Sequence, residues 1–85
     1  MPKFLTFHRE PEKTLEKMEE AYRQLAKETT AVFIRTYCRK EDGRRICEWD
    51  APSEESITVI FKRTGITWDE IIQVEEILPG RWRQL

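Results

Sequence analysis

The sequence predicts an α+β fold with the element order β-α-β-β-α-β. Two segments, about Lys13–Lys27 and Ser53–Gly65, carry apolar residues at three- and four-residue steps, which is typical of helices with one apolar face. Four shorter segments are rich in the β-branched and aromatic residues that favour strands. Asp42-Gly43 lies between two of these segments and indicates a hairpin.

The first strand and helix are predicted from the amino-terminal third. Lys3–His8 contains Phe4, Leu5 and Phe7 and ends before the charged turn around Pro11. The helix over about Lys13–Lys27 has an apolar stripe made of Leu15, Met18, Tyr22 and Leu25. Its first half is acidic and its end is basic, a distribution that suits the helix dipole.

The predicted hairpin joins Thr29–Lys40 to Arg44–Ala51. A two-residue turn at Asp42-Gly43 fixes the register, because Gly accepts the positive φ that the turn needs. The resulting cross-strand pairs are Cys38 with Cys47, Thr36 with Trp49, Arg35 with Asp50, and Tyr37 with Glu48. The alternative is a three-residue loop with a bulge, which shifts every pair by one residue.

The carboxyl-terminal third predicts a second helix and a last strand. Ser53 is the expected helix cap, Gly65 the expected end, and a strand follows from about Glu70 to Leu78. We expect one domain over residues 1–78 and a C-terminal tail over residues 79–85. Right-handed connections then give a ferredoxin-like arrangement, an antiparallel four-stranded sheet with both helices on one face.

Length, charge and cysteine content limit the classes of partner and the cellular location that we expect. The chain has 85 residues, enough for one small core, and its formal net charge of −1 favours neither nucleic acid nor an anionic membrane as a partner. No apolar run is long enough for a membrane helix, and the first residues lack the order of a signal peptide, so we expect a cytoplasmic protein. The spacing of Cys38 and Cys47 matches no C-x-x-C motif, which favours reduced thiols.

The two faces of the predicted sheet differ. The helix-covered face is expected to hold Leu5, Phe7, Val32, Ile34, Cys38, Cys47, Trp49, Ile72 and Val74. The helix-free face is expected to hold Phe4, Thr6, His8, Phe33, Arg35, Tyr37, Glu48, Asp50, Ile71, Gln73, Glu75 and Ile77. Phenylalanine and isoleucine on a helix-free face favour burial, so we expect a second copy to cover it and form a dimeric α/β barrel.

The interior of that barrel is the expected site. Its candidate ligand-binding residues are His8, Arg35, Tyr37, Glu48 and Glu75. Imidazole together with carboxylates suits nickel, zinc or iron. We interpret Cys47 as a small buried hydrophobe, the alternative being a bond or a reactive pair with Cys38. The sequence contains no Ser-His-Asp, H-E-x-x-H or glycine-rich phosphate-loop pattern, so no catalytic residues are assigned.

Residues 1–77 resemble a family of small bacterial and archaeal proteins, the nickel-responsive group of unknown function. The start MPKF and His8 at the end of the first strand are part of the likeness, and the segment from Cys47 to Val74 is its distinctive part. The matching elements are Cys47, Ala51-Pro52-Ser53-Glu54, Arg63-Thr64-Gly65-Ile66, Asp69-Glu70-Ile71 and Val74. The resemblance implies a ferredoxin-like protomer in a homodimer and, for some members, nickel binding. Members often carry a histidine in the second helix, where this chain has Ile60-Phe61-Lys62. The metal-site candidates carried over are therefore His8 and Cys47.

These observations favour a small dimeric protein, not an enzyme, that binds a small molecule or nickel. The alternative is a cofactor-free oxygenase or isomerase in which Tyr37, His8 and a carboxylate transfer protons. A third hypothesis is a structural or regulatory protein whose tail, with Trp82 and Leu85, docks on a partner.

Overall fold

A computed structural model describes residues 1–12 and 14–80, and its elements follow the predicted order. They are β1 (Lys3–Arg9), α1 (Leu15–Leu25), β2 (Val32–Arg39), β3 (Arg44–Asp50), α2 (Glu54–Thr64) and β4 (Glu70–Val74). The strands form one antiparallel sheet in the order β2-β3-β1-β4. The prediction of a ferredoxin-like α+β fold is therefore confirmed, although β4 ends at Val74 and not at Leu78.

Both helices begin at side-chain caps. Thr14 accepts a hydrogen bond from the Lys17 N–H, and α1 therefore begins at Leu15, two residues after the predicted Lys13. Ser53 accepts from the Ser56 N–H and starts α2, while Gly65 ends that helix in the left-handed conformation at φ 75. The caps predicted for the second helix are confirmed.

The two helices cover the same face of the sheet, and Trp49 of β3 is the centre of their contact. Tyr22 of α1 stacks on Phe33 with ring centroids 5.8 Å apart. Phe33 in turn packs on Trp49 at 5.2 Å, and Phe61 of α2 meets Trp49 edge-on at 5.6 Å. Trp49 is 0% exposed, so this aromatic chain links both helices to the sheet.

The hairpin differs from both predicted registers. Arg39 is the Cα partner of Arg44, so a four-residue loop joins β2 to β3, and Thr36, not Cys38, lies opposite Cys47. Asp42 stabilises this loop because it accepts hydrogen bonds from the Arg39 guanidinium and, at 3.2 Å, from the Arg44 backbone N–H. The predicted pairs are each displaced by two residues or more, and a bulge lies between Phe33 and Arg35.

A displacement by two residues keeps each side chain on its predicted face, so Arg35, Tyr37 and Glu48 still lie on the helix-free face. The two cysteines are free thiols, and Cys38 is exposed whereas Cys47 is buried. The expectation that Cys38 faces Cys47 directly, under the helices, is wrong. On the far side of the bulge Phe33 packs into the core, and Val32 and Ile34 are exposed, the reverse of the prediction.

The predicted faces of β1 and β4 are also wrong. Phe4, Thr6 and His8 lie under the helices, whereas Leu5 and Phe7 lie on the helix-free face. Ile71 of β4 packs against the core, so Ile72 and Val74 point to the helix-free side. Alternation alone was ambiguous because apolar residues occupy both phases of β1, and Thr6 and His8 tolerate burial because they hydrogen-bond to each other.

The remaining expectations concern membrane-spanning helices and the C-terminal tail. No helix in the described ranges is long and apolar enough to cross a membrane. From residue 81 onward the predicted tail lies outside the described residues, so the docking role of Trp82 and Leu85 stays a prediction.

The hairpin loop gives a test of the fold. Gly43 has φ 68, and a Cβ there would lie 2.8 Å from Pro11 Cα and overlap the Glu10 carbonyl. Gly43→Ala is expected to lower the free energy of unfolding by about 2 kcal/mol or more, since it adds this overlap to the strain of a left-handed residue. Urea denaturation measures the change.

Gly65→Ala is the matched control for that experiment. Gly65 also has a positive φ, of 75, but nothing lies within 4 Å of a Cβ built there. Its substitution should therefore cost about 1 kcal/mol, the strain alone. Equal losses for the two variants would contradict the close packing of the hairpin loop on Glu10.

Candidate functional site

The helix-free side of the sheet, called the open face below, carries the candidate site. The register divides it into four rows that cross β2, β3 and β1 in that order. From the hairpin end, the rows are Arg39–Arg44–Arg9, Tyr37–Ile46–Phe7, Arg35–Glu48–Leu5 and Val32–Asp50–Lys3. On β4, Glu70, Ile72 and Val74 extend the last three rows. Because strand side chains alternate, all of these side chains share one surface.

Glu48 is the centre of a charged cluster on this face. One of its oxygens accepts from Lys3 Nζ at 2.5 Å, and the other lies 3.3 Å from Arg35 Nε. Lys3 Nζ also donates to Asp50 Oδ1 at 3.1 Å. The pKa of Lys3 is raised, chiefly by its hydrogen bond to Glu48, while desolvation acts in the opposite direction. Two carboxylates and two cations therefore form one connected, neutral network.

Apolar side chains surround this cluster. Leu5, Phe7, Ile46, Ile72 and Val74 are half-buried on the open face. Tyr37 is 61% exposed and Val32 37% exposed, so both present side-chain area to solvent. The Glu48 side chain is nevertheless 13% exposed, which is low for a carboxylate on a face without helices. The open face thus combines an apolar surface with a shielded ion network.

His8 lies on the other side of the sheet. It is 2% exposed, and its ring meets Phe61 edge-on at 5.2 Å. Its Nδ1 is 2.7 Å from the Thr67 carbonyl oxygen, an acceptor, so Nδ1 carries the proton. Nε2 then accepts from the Thr6 hydroxyl at 2.8 Å, and Thr6 Oγ1 accepts from Trp49 Nε1 at 3.2 Å. Both ring nitrogens of the neutral imidazole are satisfied within the core.

Cys47 is a core residue as well. Its side chain is 2% exposed, and its Sγ is 3.2 Å from the Thr36 hydroxyl oxygen. Burial raises the pKa of the thiol, and the hydrogen bond between Cys47 and Thr36 partly opposes that rise. A buried, protonated thiol behaves as a small hydrophobe, which was the favoured interpretation of the sequence.

The predicted site residues therefore separate into two groups. Arg35, Tyr37 and Glu48 lie together on the open face. His8 and Cys47 lie under the helices, and Glu75 is an exposed residue just beyond β4. Asp50 was predicted as the cross-strand partner of Arg35 and as one of the carboxylates that could join His8 at a metal ion. No role was predicted for Lys3. Its spacing in the sequence could have indicated a role, because Lys3, Leu5 and Phe7 are two residues apart along β1 and therefore lie on the same face.

The charged groups among the described residues of one chain do not form a metal site. Over the ranges that the structure covers, no three His, Cys, Asp or Glu side chains lie close enough together to hold a metal ion. The sole histidine uses both ring nitrogens in hydrogen bonds. Imidazole nitrogen is a donor that suits nickel, and here neither ring nitrogen of His8 is available. The described residues of one chain thus do not fit nickel.

The fold and the open face define a small ferredoxin-like α+β protein in which α1 and α2 cover one side of the sheet and leave the other, partly apolar side without them. The family model described as nickel responsive protein SCO4226-like matches residues 4–74, so the chain belongs to that family. This confirms the resemblance found in the sequence. No curated protein matches the chain.

A solved structure supports the fold. The chain is similar to SCO4226 from Streptomyces coelicolor A3(2), known from a crystal structure, with a TM-score of 0.76 and 22% sequence identity. The match covers 89% of this chain and 99% of that chain. At this identity the likeness establishes the fold.

The buried imidazole predicts a pH dependence of stability. Desolvation is the main cause that lowers the pKa of His8, and the positive charge of Arg45 lowers it further, against opposing effects of Thr67, Glu10 and Asp69. The unfolded chain therefore takes up a proton near pH 6.5, before the folded chain does. The stability that the neutral His8 contributes is fully present above that pH, and it is lost as the pH falls toward the pKa of His8 in the folded chain.

Urea denaturation between pH 7.5 and pH 5.5 measures this loss. The free energy of unfolding should fall by at most about 1.4 kcal/mol for each pH unit, which is the limit when one proton is taken up. His8→Gln, which keeps a donor and an acceptor, should have a flatter profile over the same interval. An unchanged slope in that variant would show that other groups cause it.

Proposed function

We propose that this protein is a non-enzymatic, homodimeric binding protein whose ligand site lies between two open faces. The observation that carries the proposal is the shielded carboxylate of Glu48, 13% exposed, within a partly apolar sheet surface that α1 and α2 leave uncovered. A surface of this kind is typical of an interaction site on a small protein.

A second copy is the occupant that the charges favour. The open face carries Lys3 and Arg35 as well as Glu48 and Asp50, so it is complementary to itself. A two-fold dimer brings the same patch of both copies together, which suits such a self-complementary surface. Leu5, Phe7 and Ile72 supply apolar area that the contact removes from water.

Within the dimer, Arg35, Tyr37 and Glu48 form the proposed ligand site, to which Lys3 and Asp50 are added. These residues can orient polar groups of a ligand while the surrounding apolar residues exclude water. Ligand roles for His8, Cys47 and Glu75 stay predictions that their positions do not support. Cytoplasmic location and the absence of a nucleic-acid partner likewise stay predictions.

The family to which the chain belongs is described as nickel responsive, so nickel is the metal that we consider. In one chain the carboxylates of Glu48 and Asp50 both bond to Lys3 Nζ on the open face. Two carboxylates are fewer ligands than a tight nickel site uses. We therefore propose that any nickel site of this chain draws carboxylates from both copies.

The oxygenase or isomerase alternative has no support. It required His8 and Tyr37 to act on one substrate. His8 is buried under the helices, and Tyr37 lies on the open face, so the sheet separates the two side chains.

The dimer is tested by light scattering of the full chain at micromolar concentrations. The expected mass is about twice the 10.3 kDa of one chain. Leu5→Arg should shift the mass toward the monomer, because it places an unpaired charge in the apolar part of the contact.

Val59→Arg is the control for the dimer experiment. Val59 is an apolar residue that is 54% exposed on α2, on the helix side of the molecule. The same substitution there should leave the mass unchanged. A monomeric wild-type chain, or equal effects of the two variants, would contradict the proposed dimer.

Nickel binding is tested with protein that carries no histidine tag. Nickel chloride is expected to raise the thermal midpoint of the wild type, since a ligand that binds the native state stabilises it. The rise should be lost in Glu48→Gln and in the monomeric Leu5→Arg variant. A rise that persists in both variants would place the metal elsewhere, and no rise in the wild type would remove nickel from the proposal without affecting the dimer.

A further inference from the structure

Three arginines lie side by side at the hairpin end of the open face. Arg9 of β1 and Arg39 of β2 are both Cα partners of Arg44 of β3. Three adjacent strands therefore place three guanidinium side chains on the same face of the sheet. We call these residues the arginine row. All three are exposed. Like charges placed opposite each other destabilise a sheet, so the row works against folding when nothing is bound to it.

The chain neutralises part of this charge. Arg39 Nε donates to Asp42 Oδ1 at 3.1 Å, and this ion pair holds the pKa of the Asp42 carboxyl well below its usual range. Within residues 1–12 and 14–80, the side chains of Arg9 and Arg44 form no ion pair. Glu70, the Cα partner of Phe7, is the acid on the neighbouring strand. Three guanidinium groups therefore share the carboxylate of Asp42, and with Glu70 on the neighbouring strand also counted, one positive charge remains in excess at this end of the face.

An apolar row lies directly beside the arginine row. It consists of Phe7, Ile46 and Tyr37, which are Cα partners across β1, β3 and β2. A shallow pocket of about 230 Å³ lies where the two rows cross β2 and β3, and it is lined by Tyr37, Cys38, Arg39, Arg44 and Ile46. The Tyr37 side chain, 61% exposed, supplies a free aromatic surface at its edge.

We propose that the arginine row and the apolar row bind a small aromatic phosphate ester. Guanidinium groups match phosphate oxygens in a bidentate manner, and a phosphate ester carries close to two negative charges at neutral pH. The ring of such a ligand packs on Tyr37 and Ile46. The pocket of about 230 Å³ is smaller than the ~300–1,000 Å³ of sites for drug-sized molecules, which selects a small ligand.

The charge at the other end of the open face supports this placement. There Lys3 and Arg35 are already paired with Glu48 and Asp50, so that cluster has no excess charge for an anion. The arginine row has the excess. The inference goes beyond the proposed function, because it adds a second ligand position at the hairpin end of the open face. Tyr37 is the residue that this position shares with the proposed ligand site.

The test uses the full chain in a phosphate-free buffer, with phenyl phosphate and inorganic phosphate as probes. Amide shifts in ¹⁵N spectra should locate both probes at residues 44–46, and titration gives their dissociation constants. Phenyl phosphate should bind about tenfold more tightly than inorganic phosphate, because it adds the ring contact. Arg44→Gln should weaken both probes about tenfold, and Tyr37→Ala should weaken phenyl phosphate alone.

Arg23→Gln is the matched control, since it removes the same charge from the outer surface of α1, where the Arg23 side chain is 72% exposed. It should leave both constants unchanged. Equal weakening by Arg23→Gln and Arg44→Gln, or shifts that avoid residues 44–46, would overturn the inference. Light scattering on the same samples separates the two proposals. A dimer that binds neither probe overturns the ligand class, whereas a monomer that binds both overturns the dimer.

Discussion

The hydrogen-bond chain from Trp49 through Thr6 to His8 decides what each face of the sheet presents. Trp49 Nε1 donates to Thr6 Oγ1, and the Thr6 hydroxyl donates to His8 Nε2. This chain satisfies two polar side chains of β1 under the helices, where unpaired polar groups would be costly. Because strand side chains alternate, burial of Thr6 and His8 directs Leu5 and Phe7 to the opposite face. The apolar character of the open face is therefore a consequence of polar burial on the other side.

The sequence predicted those features that depend on local signals. The element order, the Ser53 cap and the Gly65 helix end depend on neighbouring residues, and each was predicted. The face of β1 depends on a bond between residues far apart, from Thr6 to Trp49, and the pattern of residues 3–8 contains no sign of it. Likewise, the hairpin register depends on how Asp42 bonds to Arg39 and Arg44, which outweighed the usual preference for a two-residue Asp-Gly turn.

The candidate site was predicted in part for the same reason. Arg35, Tyr37 and Glu48 were placed on the correct face because a two-residue displacement in the hairpin preserves alternation. His8 was misplaced because a single histidine in an alternating strand has two equivalent orientations until its partners are known. The arginine row escaped notice because Arg9, Arg39 and Arg44 are distant in sequence and become neighbours only through the register.

The bulge between Phe33 and Arg35 affects how copies of the chain can associate. It interrupts β2, an outer strand of the sheet, and leaves the backbone there irregular. An irregular outer strand is a poor template for adding another strand, so the bulge disfavours side-by-side extension of the sheet at its β2 edge. In the proposed dimer, the irregular β2 edge leaves no strand template for a further copy on that side, so a pair joined through its open faces would be a closed assembly.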